Sequence, residues 1–215
     1  MSQEKITEII SKIKALEIEF QSIKGLILSE SDLKLNVYRS IYPIFEHSLN
    51  TMDYDIKANP IHSEIKFFNE NLKLSIIPDI TILQTEHLSI LHSLEYEITT
   101  EGVRHKETSG KQCEFGGDTI IIELKYCKEK NGITQKDFKL YKKDILKIQK
   151  LQKIVNNRSD GMNKVYGIFV IFNKTDTKPD YFDDLIKYES EYMKILYCTG
   201  KVEFKKNNQY IKKFD

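Results

Sequence analysis

Cysteine is scarce in this chain. Cys113, Cys127 and Cys198 form an odd set with no CxxC pair, which argues against both a disulfide framework and a thiolate zinc site and predicts reduced thiols. Arginine is equally thin, with only Arg39, Arg104 and Arg158. Neither sign of charge prevails: 33 basic residues face 32 acidic ones, a formal net charge of +1. That balance excludes a polycationic nucleic-acid coat but leaves room for a basic cleft on one face. No apolar stretch approaches membrane-spanning length, and the N-terminus alternates charge with isoleucine where a signal peptide would carry an apolar core. A soluble, cytoplasmic protein with no membrane partner is the expectation. There is no phosphate loop of the GxxxxGK[ST] type, no GxGxxG and no HExxH. His47, His62, His87, His92 and His105 are scattered without metal-ligand spacing.

What is present fits one α/β domain. The chain has 215 residues, 40% hydrophobic and 30% charged, enough for a real core. Apolar residues at Ile6, Ile9, Ile10, Ile13, Leu16, Phe20 and Ile23 keep helical spacing, so residues 1–28 are set apart as an N-terminal amphipathic helix ahead of a domain at 29–215. Its apolar stripe offers a surface for pairing with a second copy, a homodimer. Ser29-Glu30-Ser31-Asp32 supplies N-caps for a second helix running to about Phe45. Two strands, 61–68 and 72–77, read as a hairpin, followed by Pro78-Asp79 and the apolar run Ile80 to Leu83. Residues 99–117, with Gly102, Gly110, Gly116 and Gly117, read as a loop. Thr119 to Tyr126 is the clearest strand. A long helix from Thr134 to about Asn156, a buried strand 164–173, a helix 181–196 and an edge strand 201–205 complete the order. Helices and strands in that succession predict a mixed central sheet flanked by helices.

Chemistry concentrates in two short motifs. In Thr119-Ile120-Ile121-Ile122-Glu123-Leu124-Lys125, alternation puts Ile121, Glu123 and Lys125 on one side of the strand and Ile120, Ile122 and Leu124 on the other. An isoleucine run implies a strand covered on both faces, so an acid and a base at its end, roughly 7 Å apart along the strand, must be paired or must line a cleft. The tripeptide alone is unspecific, since Glu64-Ile65-Lys66 and Glu203-Phe204-Lys205 repeat it. Upstream, Pro78-Asp79 interrupts an apolar segment with a carboxylate, and proline removes a ladder donor there. A second register, Pro179-Asp180 with Glu203, is inferior because Asp180 opens a helical pattern and Glu203 lacks an apolar run.

An interrupted apolar strand carrying one Asp, followed by an apolar strand ending in Glu-x-Lys, resembles the signature of the PD-(D/E)xK nucleases, here Pro78-Asp79 with Glu123-Leu124-Lys125. The resemblance in pattern spans about 29–173, and only the 78–79 and 123–125 motifs are specific. It implies a restriction-endonuclease-like fold and a Mg²⁺-dependent endonuclease acting on DNA, with Mn²⁺ as a substitute and RNA as a further possible substrate, serving restriction, phage defence or repair. It further implies that Asp79, Glu123 and the Leu124 carbonyl hold the metal while Lys125 assists the attacking water, hard oxygen ligands being what Mg²⁺ prefers. Related nucleases add an acid from a preceding helix, for which Glu30 is the candidate and Glu64 the second. Arg104, Lys106 and Lys111, between the two motif strands, with Lys128 beyond them, are the candidate DNA contacts. Asp144, Lys147 and Gln149 read as a solvated helix face. The alternative is a non-catalytic nucleic-acid-binding or assembly subunit that retains the fold.

Overall fold

The computed structural model describes residues 2–23, 25–53, 56–68, 74–91, 94–99, 102–107 and 112–200, with the backbone alone at 90–91, 94–99, 102–107 and 112–114. Five strands form one sheet: β1 (Ile61–Ser63), β2 (Ile80–Leu83), β3 (Thr119–Cys127), β4 (Val165–Asn173) and β5 (Met193–Thr199), in the order β5-β4-β3-β2-β1. The first three pair antiparallel, while β3, β4 and β5 run parallel to one another, so the sheet is mixed. The parallel half needs a crossover, and helix α3 (Gln135–Arg158) provides it between β3 and β4. A capping box starts α3: Thr134 Oγ1 accepts the Asp137 N–H at 3.2 Å, and the Asp137 carboxylate accepts the Thr134 N–H at 3.0 Å.

Both faces of the sheet are covered. On one, α1 (Gln3–Ser22) and α2 (Glu30–Ile41) bury Ile9, Ile13, Leu16, Phe20, Leu33 and Val37 against Ile80, Ile82, Ile120, Ile122, Leu124 and Phe172. On the other, Tyr141, Ile145, Ile148 and Leu151 of α3 close over Ile121, Phe169 and Ile171. A Cβ on Gly167 would stand 2.6 Å from both Ile148 and Met193 side chains, so glycine is what lets α3 lie this close to β4. The architecture is therefore mixed α/β with a five-stranded sheet between helices. The α1 stripe from Ile6 to Phe20 is consumed in the chain's own core and is not a free surface for a second copy; of its spaced apolar residues only Ile23, past the end of the helix, stays exposed.

Several expectations need correction. The first hairpin strand is not continuous: β1 ends at Ser63 and a separate two-stranded piece, Phe67–Phe68 with Leu74–Ile76, follows. The break sits at Glu64, whose backbone has φ +58°, a left-handed conformation incompatible with a straight strand. Within the segment 99–117, read as a loop from the sequence, the described residues 102–107 and 112–115 are strands. Leu88–Leu91 pairs with Gln112–Phe115, and Leu94–Thr99 with Gly102–Glu107, as antiparallel ladders. The helix expected at 181–196 shrinks to a 3₁₀ turn at Asp180–Phe182 and one helical turn, Asp183–Ile186, and Met193–Thr199 becomes β5 because β4 offers it an open parallel edge. The edge strand expected at 201–205 lies outside the described residues.

Candidate active site

The ladder between β1 and β2 pairs Ser63 with Ile80, and that between β2 and β3 pairs Ile80 with Ile122. Asp79 immediately precedes Ile80 and Glu123 immediately follows Ile122, so this register brings the two acids side by side at the ends of neighbouring strands, while Glu64, at the left-handed break just past β1, reaches them through Lys34. Pro78 explains why Asp79 turns inward. With no ladder donor available, the strand stops, and the Asp79 Oδ2 takes the place of a backbone acceptor by accepting the Leu124 N–H at 2.8 Å. In a strand, the N–H and C=O of one residue point to the same edge, so the Leu124 carbonyl faces the same gap, while its side chain is buried in the core on the opposite face.

Two ammonium groups sit between the acids. Lys125 Nζ lies 2.6 Å from Glu123 Oε1 and 3.0 Å from Asp144 of α3, whose other oxygen takes Lys147 at 2.8 Å. Lys34 of α2 lies 2.6 Å from Glu64 and 3.5 Å from Asp79 Oδ1. The side chains of Glu123, Asp79, Lys125 and Asp144 expose only 11%, 17%, 18% and 19% of their surface, so these charges interact through a medium less polar than water. Glu64, at 65%, is the open end of the row.

The electrostatics follow from this crowding. Burial pushes the Glu123 carboxyl above its ordinary pKa; Lys125 opposes the shift, while the Asp79 and Asp144 carboxylates add to it. For Lys125, burial works against the charged form, but Glu123 and then Asp144 outweigh it and the ammonium is held more firmly than usual. Asp144 is buried enough to raise its pKa, yet Lys147 and Lys125 overcome that and hold it low. Four carboxylates stand against three ammonium groups, a surplus of negative charge.

Hydrogen-bonding capacity is also left over. Glu123 Oε2, Thr81 Oγ1 and His62 Nε2 are buried without a hydrogen-bond partner among the described residues. Thr81 pairs across the ladders with both His62 and Ile121, so His62 and Thr81 share one rung and Glu123, two residues beyond Ile121, points to the same face of the sheet. An unpartnered carboxylate oxygen beside a second carboxylate and a backbone carbonyl is the donor set a hard divalent cation takes. The residues fit such an ion, although no group of three or more His, Cys, Asp and Glu poised for a metal occurs among the described residues.

The structure thus brings Asp79, Glu123, Leu124 and Lys125 together. Glu30 opens α2 one turn before Lys34, exposed, and makes no ion pair or side-chain hydrogen bond among the described residues; its charge is felt by Tyr141, whose pKa burial raises first. The Gly102–Glu107 strand, with Arg104 and Lys106, belongs to the excursion between Leu83 and Thr119, which leaves the sheet at the end away from Asp79 and Glu123. Lys111 lies outside the described residues. Lys128, exposed, follows β3 at the end near the site. Sequence reasoning undervalued Asp144, although the signal was there: Tyr141, Asp144, Ile145 and Ile148 keep the i, i+3, i+4, i+7 spacing of a sheet-facing stripe. Gln149 spends its amide on the Tyr188 carbonyl at 3.2 Å. Lys34 carried no signal at all. No known protein family, curated protein or solved structure matches the chain, so the site is read from its own geometry. Among the described residues no helix is long and apolar enough to cross a membrane.

Proposed function

We propose that this protein is a divalent-cation-dependent endonuclease of the PD-(D/E)xK type that hydrolyses phosphodiester bonds in DNA, with Asp79 and Glu123 as the cation ligands. The single observation that carries the reading is the convergence of Asp79, whose carboxylate accepts the Leu124 N–H, on Glu123, which has one buried, unpartnered oxygen and Lys125 at 2.6 Å from the other. Bound Mg²⁺ would supply charge neutralisation at the phosphate and a more acidic water. The Leu124 N–H fixes the Asp79 carboxylate through Oδ2. Lys125, kept protonated by Glu123 and Asp144, acts as a cation that orients a nucleophilic water and faces the scissile phosphate, not as a base. Asp144 holds that ammonium in place.

The test is a cleavage assay on duplex, single-stranded and branched DNA and on RNA, with Mg²⁺ and with EDTA. Wild-type protein cleaves at least one substrate only with the metal, and Asp79→Ala and Lys125→Ala lose at least ~10³-fold activity, the scale of a lost electrostatic group, without change in fold. Absence of metal-dependent cleavage of every substrate sinks the proposal. A second reading, a non-catalytic nucleic-acid-binding subunit, is favoured by one observation: Lys125 is already satisfied by two carboxylates. Salt-sensitive binding without hydrolysis would select it.

A further inference from the structure

Glu64 is the anomaly of the row. It is one of only two non-glycine residues with positive φ among the described residues, and a left-handed backbone is costly for a side chain that is neither glycine nor asparagine. Its visible return is an ion pair to Lys34 from a side chain 65% exposed, and exposed pairs contribute little. Stability therefore does not account for the conformation. Strain kept without a stabilising return marks a position whose side chain is needed where it points.

It points at Lys34. That ammonium lies 2.6 Å from Glu64 but 3.5 Å from Asp79. We infer that Glu64 is a positioning residue: it holds the Lys34 ammonium closer to itself than to Asp79, so that Lys34 keeps only a long 3.5 Å contact with the Asp79 Oδ1 and yields that oxygen to a divalent cation. The inference rests on the nuclease reading of the same site. Without Glu64, nothing holds Lys34 at its present distance, and it closes onto Asp79, where it competes with the metal for the same oxygen. Glu64 needs no contact with metal or substrate for this role. Lys34 is the intermediary, so the effect of removing Glu64 must vanish when Lys34 is removed too.

The experiment is Mn²⁺ binding to the full chain, by calorimetry or by the free-ion paramagnetic signal, together with thermal unfolding in EDTA. Glu64→Gln should weaken Mn²⁺ binding about tenfold, and Lys34→Met in the Glu64→Gln background should restore most of it. Glu64→Gly should weaken binding equally while its Tm holds or rises by up to about 4 °C, because the strain is released. If wild-type protein binds no Mn²⁺, the metal reading fails and takes this inference with it. If wild type binds but Glu64→Gln binds as tightly, or the double variant stays as weak as the single one, the positioning role alone is overturned. A marked fall in Tm for Glu64→Gly would make Glu64 a structural residue and overturn it as well.

Discussion

The two faces of β3 are built from alternate residues of one nine-residue strand, and they differ completely in character. Ile120, Ile122 and Leu124 are fully buried beneath α1 and α2 in a core with no charge. Ile121, Glu123 and Lys125 look toward α3, where the charged pair interrupts the apolar packing between Ile121 and Cys127. The first face spends all its groups on stability. The second leaves a carboxylate oxygen unpartnered and crowds like charges, which is destabilising in itself. Unbroken apolar packing and the charged row thus share a strand but not a side.

Breaking the apolar face should have the largest effect. Ile122→Ala removes a side chain with no exposed surface and should cost about 3 kcal/mol, read as a lower urea midpoint at unchanged slope. On the charged face, Lys125→Met leaves Glu123 and Asp144 without their shared ammonium. That should cost about 1–2 kcal/mol, less than the ~3–5 kcal/mol of a fully buried pair because each group keeps some water, and adding Glu123→Gln should recover part of it. A smaller effect comes from His62, whose imidazole burial holds below the ordinary pKa of 6.5. The unfolded chain takes up a proton near that pH and the folded chain only lower. The stability due to the neutral ring is therefore complete above pH 6.5 and is lost as the pH falls. Unfolding midpoints between pH 7.5 and 5 should decline more steeply for wild type than for His62→Gln. Away from both faces, Lys178→Ala removes an exposed pair with Asp183 at 2.7 Å and should change stability by less than about 0.5 kcal/mol.

The parts of this contrast that the sequence carries are those set by periodicity. The Ile120–Ile122 run, the helical spacing of α3 and the alternation through Val165–Asn173 each commit a segment to one structure, and Pro78-Asp79 marks its own strand end. What stayed hidden depends on partners far along the chain. Met193–Thr199 carries apolar residues at spacings that serve a helix or a strand, and only the edge of β4 decides between them. Gly102 and its neighbours look like a loop until their partners are aligned. Glu64 carries no local mark of a left-handed turn, since Gly or Asn would be the usual signal. Asp144 and Lys34 are ordinary helix residues until folding sets them 3.0 Å from Lys125 and 3.5 Å from Asp79.

The most direct measurement is a crystal of the full chain soaked in Mn²⁺ and examined by anomalous scattering. The account predicts one ion between the Asp79 and Glu123 carboxylates, about 2.0–2.3 Å from an oxygen of each, with Lys125 turned from Glu123 toward the open side. Full occupancy of a site elsewhere, or no ion at saturating Mn²⁺ with Lys125 still bridging Glu123 and Asp144, would contradict it.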